Sequence, residues 1–155
     1  PKPRIYGTLN AVVDATGEGD YAELDDLGRY KVRLPFDASN NGAGKASRYM
    51  RMAQPYAGED GGMHFPLLKG TEVILTHVDG DPDRPIISAA VPNVATSSPV
   101  NGNNQTQSVI QTQGQNQIVL EDQEGAPIMK AAQSWTWFTA KLSTLVARVQ
   151  LLRKV

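Results

Sequence analysis

Asp79-Gly80-Asp81-Pro82-Asp83-Arg84-Pro85 is a tight acidic turn set between two apolar runs. Thr71-Glu72-Val73-Ile74-Leu75-Thr76-His77-Val78 precedes it and Ile86-Ile87-Ser88-Ala89-Ala90-Val91 follows it. Gly80 and Pro82 punctuate the turn, and its aspartates can accept hydrogen bonds from exposed backbone N–H groups. The pattern predicts two strands joined at the acidic turn.

Three more strands are predicted upstream. Ile5, Leu9, Ala11 and Val13 alternate with Arg4, Tyr6, Thr8 and Asn10, the period of a half-buried strand. After the turn Asp26-Leu27-Gly28, Tyr30, Val32 and Leu34 share one face and Arg29, Lys31 and Arg33 the other. Pro35 weakens further pairing because it lacks an N–H. Residues 37–47 form a polar loop with Gly42 and Gly44. Residues 49–54 predict a third strand, with Met50 and Met52 opposing Arg51. A Gly/Pro-rich loop then runs from Pro55 to Gly70. Five strands with one long connection between the third and fourth suit an OB-type barrel over residues 1–93. An immunoglobulin-like sandwich would want about seven.

The composition changes over residues 94–129. Ten of the seventeen residues from Asn101 to Gln117 are Asn or Gln, and none is charged. By composition alone, this is a disordered linker. The residues just downstream offer a second reading, as strands. Asn116-Gln117-Ile118-Val119-Leu120-Glu121 has the apolar content of one, and Asp122-Gln123-Glu124-Gly125 turns the chain towards another. So narrow a strand pair needs neighbours to bury it. Residues 130–155 differ again. Trp135, Phe138, Leu142, Leu145, Val149 and Leu152 step by three and four, an a/d heptad seam. Ser134 can cap this helix, and Arg148, Arg153 and Lys154 suit the negative end of its dipole.

The chain has 155 residues, enough for one compact domain plus an extension. With no Cys, a disulfide framework and a thiolate metal site are both excluded. No signal-peptide pattern opens at Pro1-Lys2-Pro3-Arg4, and the chain does not start with Met, as a fragment or processed chain would not. No apolar run reaches the ~20 residues of a membrane helix, so no stable membrane anchor is expected. Residues 1–129 hold ten Lys/Arg and all sixteen Asp/Glu, a net −6, while residues 130–155 hold five cations and no acid. An acidic body argues against nonspecific binding to phosphate backbones.

The chemistry-bearing residues favour structure over catalysis. Gly80 and Pro82 interrupt Asp79, Asp81 and Asp83, and no Glu follows at calcium-loop spacing, so the triplet reads as a solvated turn. His64 and His77 lie in no metal-ligand cluster. There is no G-x-S-x-G elbow. Asp25-Asp26 and Glu59-Asp60 are adjacent pairs, without the separation that glycosidase acids need. Residues 41–47 lack phosphate-loop spacing. No catalytic residue, cofactor or metal is expected, and the chain is read as not an enzyme.

Several of these passages, in this order, resemble the VgrG family of contractile-tail spikes, the spikes of bacterial type VI secretion systems. They are Lys31 to Asp37, Met52 to Gly58, Gly70-Thr71-Glu72-Val73, Asp79 to Pro85 and Asn116 to Gly125. The resemblance covers about residues 4–129. The family's N-terminal hub domain has no counterpart in these residues. Where its long β-helix would run, the heptad pattern stands instead. The resemblance implies a homotrimeric puncturing and delivery device, assembled in the cytoplasm and injected with the spike. The mainly β fold would be an OB-type barrel, then a short intertwined trimeric β-segment, then the heptad helix. Ile110, Ile118, Leu120 and Ile128 would line the trimer axis. Trp135, Phe138, Leu142, Leu145, Val149 and Leu152 would make helix–helix contacts. Implied partners are two further copies, an upstream hub domain, tail-tube and baseplate proteins, and an effector or tip protein, with no nucleic acid. Two alternatives stay open at this point. One is a single-stranded nucleic-acid-binding OB protein using Arg29, Lys31 and Arg33; the other is a carbohydrate- or peptidoglycan-active enzyme.

Overall fold

A computed structural model describes residues 1–125 and 128–132. The chain divides into two compact units, residues 1–97 and residues 98 onward.

The first unit is one curled five-stranded sheet. Its strands are β1 (Leu9–Asp14), β2 (Lys31–Arg33), β3 (Arg51–Met52), β4 (Glu72–His77) and β5 (Pro85–Ala90). They lie in the order β2-β1-β4-β5-β3. All pairs are antiparallel except β3 with β5, which run parallel. The two edges meet through one bridge, because Tyr30 N–H donates to Met50 O at 3.0 Å and Met50 N–H to Tyr30 O at 2.7 Å. This curled, edge-joined sheet is consistent with an OB-type barrel. Its curvature is helped by a bulge where the β4–β5 register shifts between Ile74 and Leu75. The extra residue there is Ser88, whose hydroxyl donates to Ile74 O at 3.1 Å.

The expected strands are present, but the third is only Arg51–Met52 rather than residues 49–54, and the first is shifted. The first begins at Leu9 rather than near Ile5, because Gly7 takes φ 96° and ends the extended run. Upstream of it, Ile5 N–H bonds Gly80 O at 2.8 Å, tying the N-terminus to the acidic turn.

Alternation decides the core. Ala11, Val13, Tyr30, Val32, Val73, Leu75 and Ile87 point inward and are buried, with Leu9, Leu34, Met50 and Met52 packed around them. The long loops serve as covers. Leu67 is buried from the loop between β3 and β4, and its N–H donates to the Tyr30 hydroxyl at 3.0 Å. The 37–47 loop covers the outer edge of β2, where Val32 N–H finds the Ser47 hydroxyl at 2.9 Å. Lys31 Nζ donates to Gly44 O at 2.8 Å. Gly44 is needed there, since its φ is 72° and a Cβ would stand 2.2 Å from the Thr16 methyl.

The second unit is a meander of three antiparallel strands, β6 (Gln107–Gln111), β7 (Gln117–Glu121) and β8 (Ile128–Ala132). The Gln/Asn-rich stretch is therefore sheet, not linker, through β6 and the start of β7. A compact turn joins the two, with Thr112 N–H to Asn116 O at 2.9 Å and Gln115 at φ 62°. Lys130, Ala131 and Ala132, expected to begin the helix, belong to β8, where pairing with Val119, Ile118 and Gln117 continues the hairpin. The heptad residues Trp135, Phe138, Leu142, Leu145, Val149 and Leu152 lie outside the described residues.

Candidate functional site

The acidic turn is a latch for the N-terminus. A single 3-10 turn at Val78–Gly80 puts Asp79 at φ 53° and Gly80 at φ 69°. Lys2 Nζ then reaches both Asp81, at 2.5 Å, and Asp83, at 2.7 Å. Arg4 donates to Asp79 O, and Asp79 itself faces Arg84 at 3.8 Å. The three carboxylates are thus spent on cations of the chain. Among the described residues no group of three or more metal-ligating side chains is assembled.

Several carboxylates, part-buried at Asp25, Asp37 and Asp81 and exposed at Glu23, sit below the ordinary range because of such bonds. Lys2 holds Asp81 down, Arg29 holds Asp25 down, and the Ser39 and Thr16 hydroxyls do the same for Asp37 and Glu23. A depressed carboxylate contributes stability that is fully present above its unfolded value, about pH 4. That share is lost as pH falls through the lower folded value. Melting temperature is therefore expected to drop between about pH 5 and pH 2, most steeply at low salt, because exposed pairs are screened. A flat melting profile over that range would contradict this account.

The basic face of β2 is internally committed. Arg29 Nε donates to Asp25 at 2.6 Å. Lys31 bonds Gly44 O and lies 4.6 Å over the Tyr49 ring. Arg33 meets Asp37 at 3.1 Å and Asp14 at 3.6 Å. The stripe that suggested nucleic-acid binding holds the barrel's own loops. His64 stacks on Tyr30 at 6.2 Å between ring centroids, a packing role. His77 Nδ1 is buried without a hydrogen-bond partner among the described residues.

The second unit carries an apolar face that is exposed among the described residues. Ile110 lies opposite Ile118, Ile118 opposite Ala131, and Leu120 opposite Met129. Strand alternation therefore places these residues on one face across three strands. Ile110 is 44% exposed, Ile118 46%, Leu120 43% and Met129 76%. Three of the four residues expected on the trimer axis are thus neighbours. Ile128 pairs with Glu121, one position out of step with Ile118 and Leu120. Met129, opposite Leu120, joins the face of Ile118 and Leu120. The reverse face is half-buried at Gln107, Val109, Gln117, Val119 and Glu121. There Glu121 accepts from the Thr106 hydroxyl at 2.6 Å and from Gln107 Nε2 at 2.9 Å, which keeps its carboxyl below the usual range.

A family model described as the type VI secretion system/phage-baseplate injector OB domain matches residues 20–91, from the loop after β1 to the end of β5. The chain is 36% identical over 134 residues to the type VI secretion system spike protein VgrG4b of Pseudomonas aeruginosa, a match covering 81% of this chain and 16% of that protein. This chain belongs to the VgrG family. It is also 35% identical over 144 residues to the spike protein VgrG3 of Vibrio cholerae, covering 86% of this chain and 14% of that one. A third VgrG relative is the actin cross-linking toxin VgrG1 of Vibrio cholerae, 33% identical over 131 residues, 81% of this chain and 12% of that protein. The chain thus spans a small fraction of the length of these relatives.

Reading the VgrG sequence alone misses two features. The Lys2 latch joins residues 79 apart or more, and no local pattern encodes it. The exposed Met129 was findable, since hairpin pairing across the Glu124-Gly125 turn puts it opposite Leu120.

Proposed function

We propose that this chain is a structural segment of a type VI secretion spike and works as a homotrimer. The observation that carries the reading is the exposed apolar face of Ile110, Ile118, Leu120 and Met129. A small meander with an uncovered apolar face needs a partner, because such sheets are marginal alone and large exposed apolar patches mark interfaces. Three copies can cover all three faces around one axis, and closed symmetry leaves none exposed. In this reading the barrels form a collar, the β6–β8 segments twist together, and the heptad segment of residues 133–155 closes the end.

The role is mechanical: the segment transmits a push generated elsewhere in the apparatus and helps deliver effectors through a target envelope. It assembles in the cytoplasm and leaves with the spike. An upstream hub domain, tail-tube or baseplate proteins, and an effector or tip protein are the partners. In this reading the chain contributes no catalytic group; the acidic turn and the 29–33 stripe are spent on holding the N-terminus and the loops. No helix among the described residues is long and apolar enough to cross a membrane.

The test is mass in solution by light scattering coupled to size exclusion, on this chain and on one ending at Met129. A particle of three times 16.8 kDa is expected for the full chain. If the shortened chain, which keeps only Ile128 and Met129 of β8, is also trimeric, the β6–β7 hairpin suffices; if it dissociates, the residues from Lys130 onward, the rest of β8 or the heptad tail, are the clamp. A monomeric full chain at micromolar concentration would sink the proposal.

A further inference from the structure

A groove of about 480 Å³ opens on the first unit between the start of β3 and the acidic turn. Its lining includes Arg29, Arg48, Arg51 and Arg84 against a single carboxylate, Asp83. Asp25 pins Arg29 at 2.6 Å and leaves part of its guanidinium fork open. Arg84 has only the loose 3.8 Å approach to Asp79. Arg48 and Arg51 are exposed and have no ion-pair partner among the described residues. The one opposing charge is masked, because Lys2 sits on Asp83 at 2.7 Å. Lys31, whose Nζ lies 4.6 Å over the ring of the lining Tyr49, adds a further positive charge nearby. Elsewhere acids predominate, so this is a local reversal of sign on a body carrying a net −6 over residues 1–129.

We propose that this groove docks a short acidic segment of a partner protein, its carboxylates on Arg48, Arg51 and Arg84. All four cations of the groove are arginines, whose planar forks suit carboxylates bidentately. Tyr49, Pro82 and Pro85 give apolar wall between the charges, which side-chain methylenes of a peptide can cover and an inorganic ion cannot use. The arginines are solvated, so each pair is weak by itself. Only a ligand that engages several at once binds well. A nucleic-acid strand would do so too, but the net −6 of the body repels the phosphates that extend past the groove. A short acidic peptide ends where the positive field ends.

The experiment is fluorescence anisotropy on the whole 155-residue chain with a short fluorescein-labelled Glu-rich peptide. Oligo-dT and inorganic phosphate are the competitors. Binding at low salt is expected, weakening as salt rises. Arg48→Ala with Arg51→Ala should weaken it by about tenfold. Asp83→Asn should tighten it by about twofold, a gain that a merely structural role would not produce. Lys45→Ala, a cation outside the groove, should change nothing. The proposal is overturned if the peptide does not bind at low salt. It also fails if the double variant keeps full affinity, if Asp83→Asn weakens binding, or if oligo-dT or phosphate displaces the peptide at lower concentration than unlabelled peptide does.

Discussion

Cutting Tyr30 back to Ala is expected to destabilise the barrel by about 3–5 kcal/mol, the range for large aromatic truncations in cores. Tyr30 is 0% exposed and the largest fully buried side chain of the chain's described residues. Three roles meet in it. Its ring fills the core beside Val32 and Ile87. Its backbone makes the two-bond bridge to Met50 that joins the sheet's edges. Its hydroxyl accepts the N–H of Leu67 and so holds the β3–β4 loop over the open side. Burial also pushes its phenol above its ordinary pKa, so it stays neutral and keeps its proton for a second bond; His64 Nε2 lies 3.3 Å away. For a domain stable by about 5–15 kcal/mol, the loss is a large share, and melting should fall by roughly 15 °C or more. Tyr30→Phe keeps the ring but orphans Leu67 N–H, and should cost about 1–3 kcal/mol. His64 is exposed, so His64→Ala should cost least. Thermal denaturation followed by near-UV circular dichroism checks the order. A Tyr30→Ala barrel melting within a degree or two of the parent would show that the sheet closes without this residue.

The barrel was legible because its information is local. The alternations at Leu9–Val13 and Tyr30–Leu34 each name a buried face, and period two admits no compromise between faces. The acidic turn was legible as a turn, since Gly80 and the prolines permit little else. What binds the elements to one another was not. The parallel pairing of β3 with β5, the Lys2 latch and the Leu67–Tyr30 bond all join residues more than thirty apart. They depend on chain geometry that no spacing carries. The β2 arginines show the opposite failure. Their alternation correctly placed them outward, but whether an outward cation is free depends on loops whose path the sequence leaves open. Arg29 and Arg33 are engaged, whereas Arg48 and Arg51, in a stretch with weaker alternation, remain unpaired among the described residues. In the second unit, the Gln/Asn bias masked the strand signal of Gln107–Gln111, since its apolar content is only Val109 and Ile110. Ile128 lies one position out of step with Leu120, and the length of the turn at Glu124-Gly125 decides that register, since a slip of one residue exchanges faces.

Placing a carboxylate on the β6–β8 face is expected to abolish assembly. In Leu120→Asp, one charge per chain would stand at the centre of the apolar face, between Met129 and Ser108 on the flanking strands. In the proposed trimer three such charges would converge in a dry interface. Burying an unpaired carboxylate costs several kcal/mol even after relaxation, and the mutual repulsion of three adds to it. At about 1.4 kcal/mol per factor of ten, association should weaken by several orders of magnitude, giving the mass of one chain instead of three. In the isolated chain Leu120 is 43% exposed, so the same substitution should leave the monomer's strands largely intact. That difference makes the test specific, because circular dichroism should keep its β signature while the mass falls. Gln113→Glu adds the same charge in the exposed β6–β7 turn, off the face, and should leave the mass unchanged. If Leu120→Asp stays trimeric and Gln113→Glu does too, this face is not the interface, and the clamp must lie beyond it in the heptad residues. If both dissociate, the segment is sensitive to charge in general, and the apolar face loses its special standing.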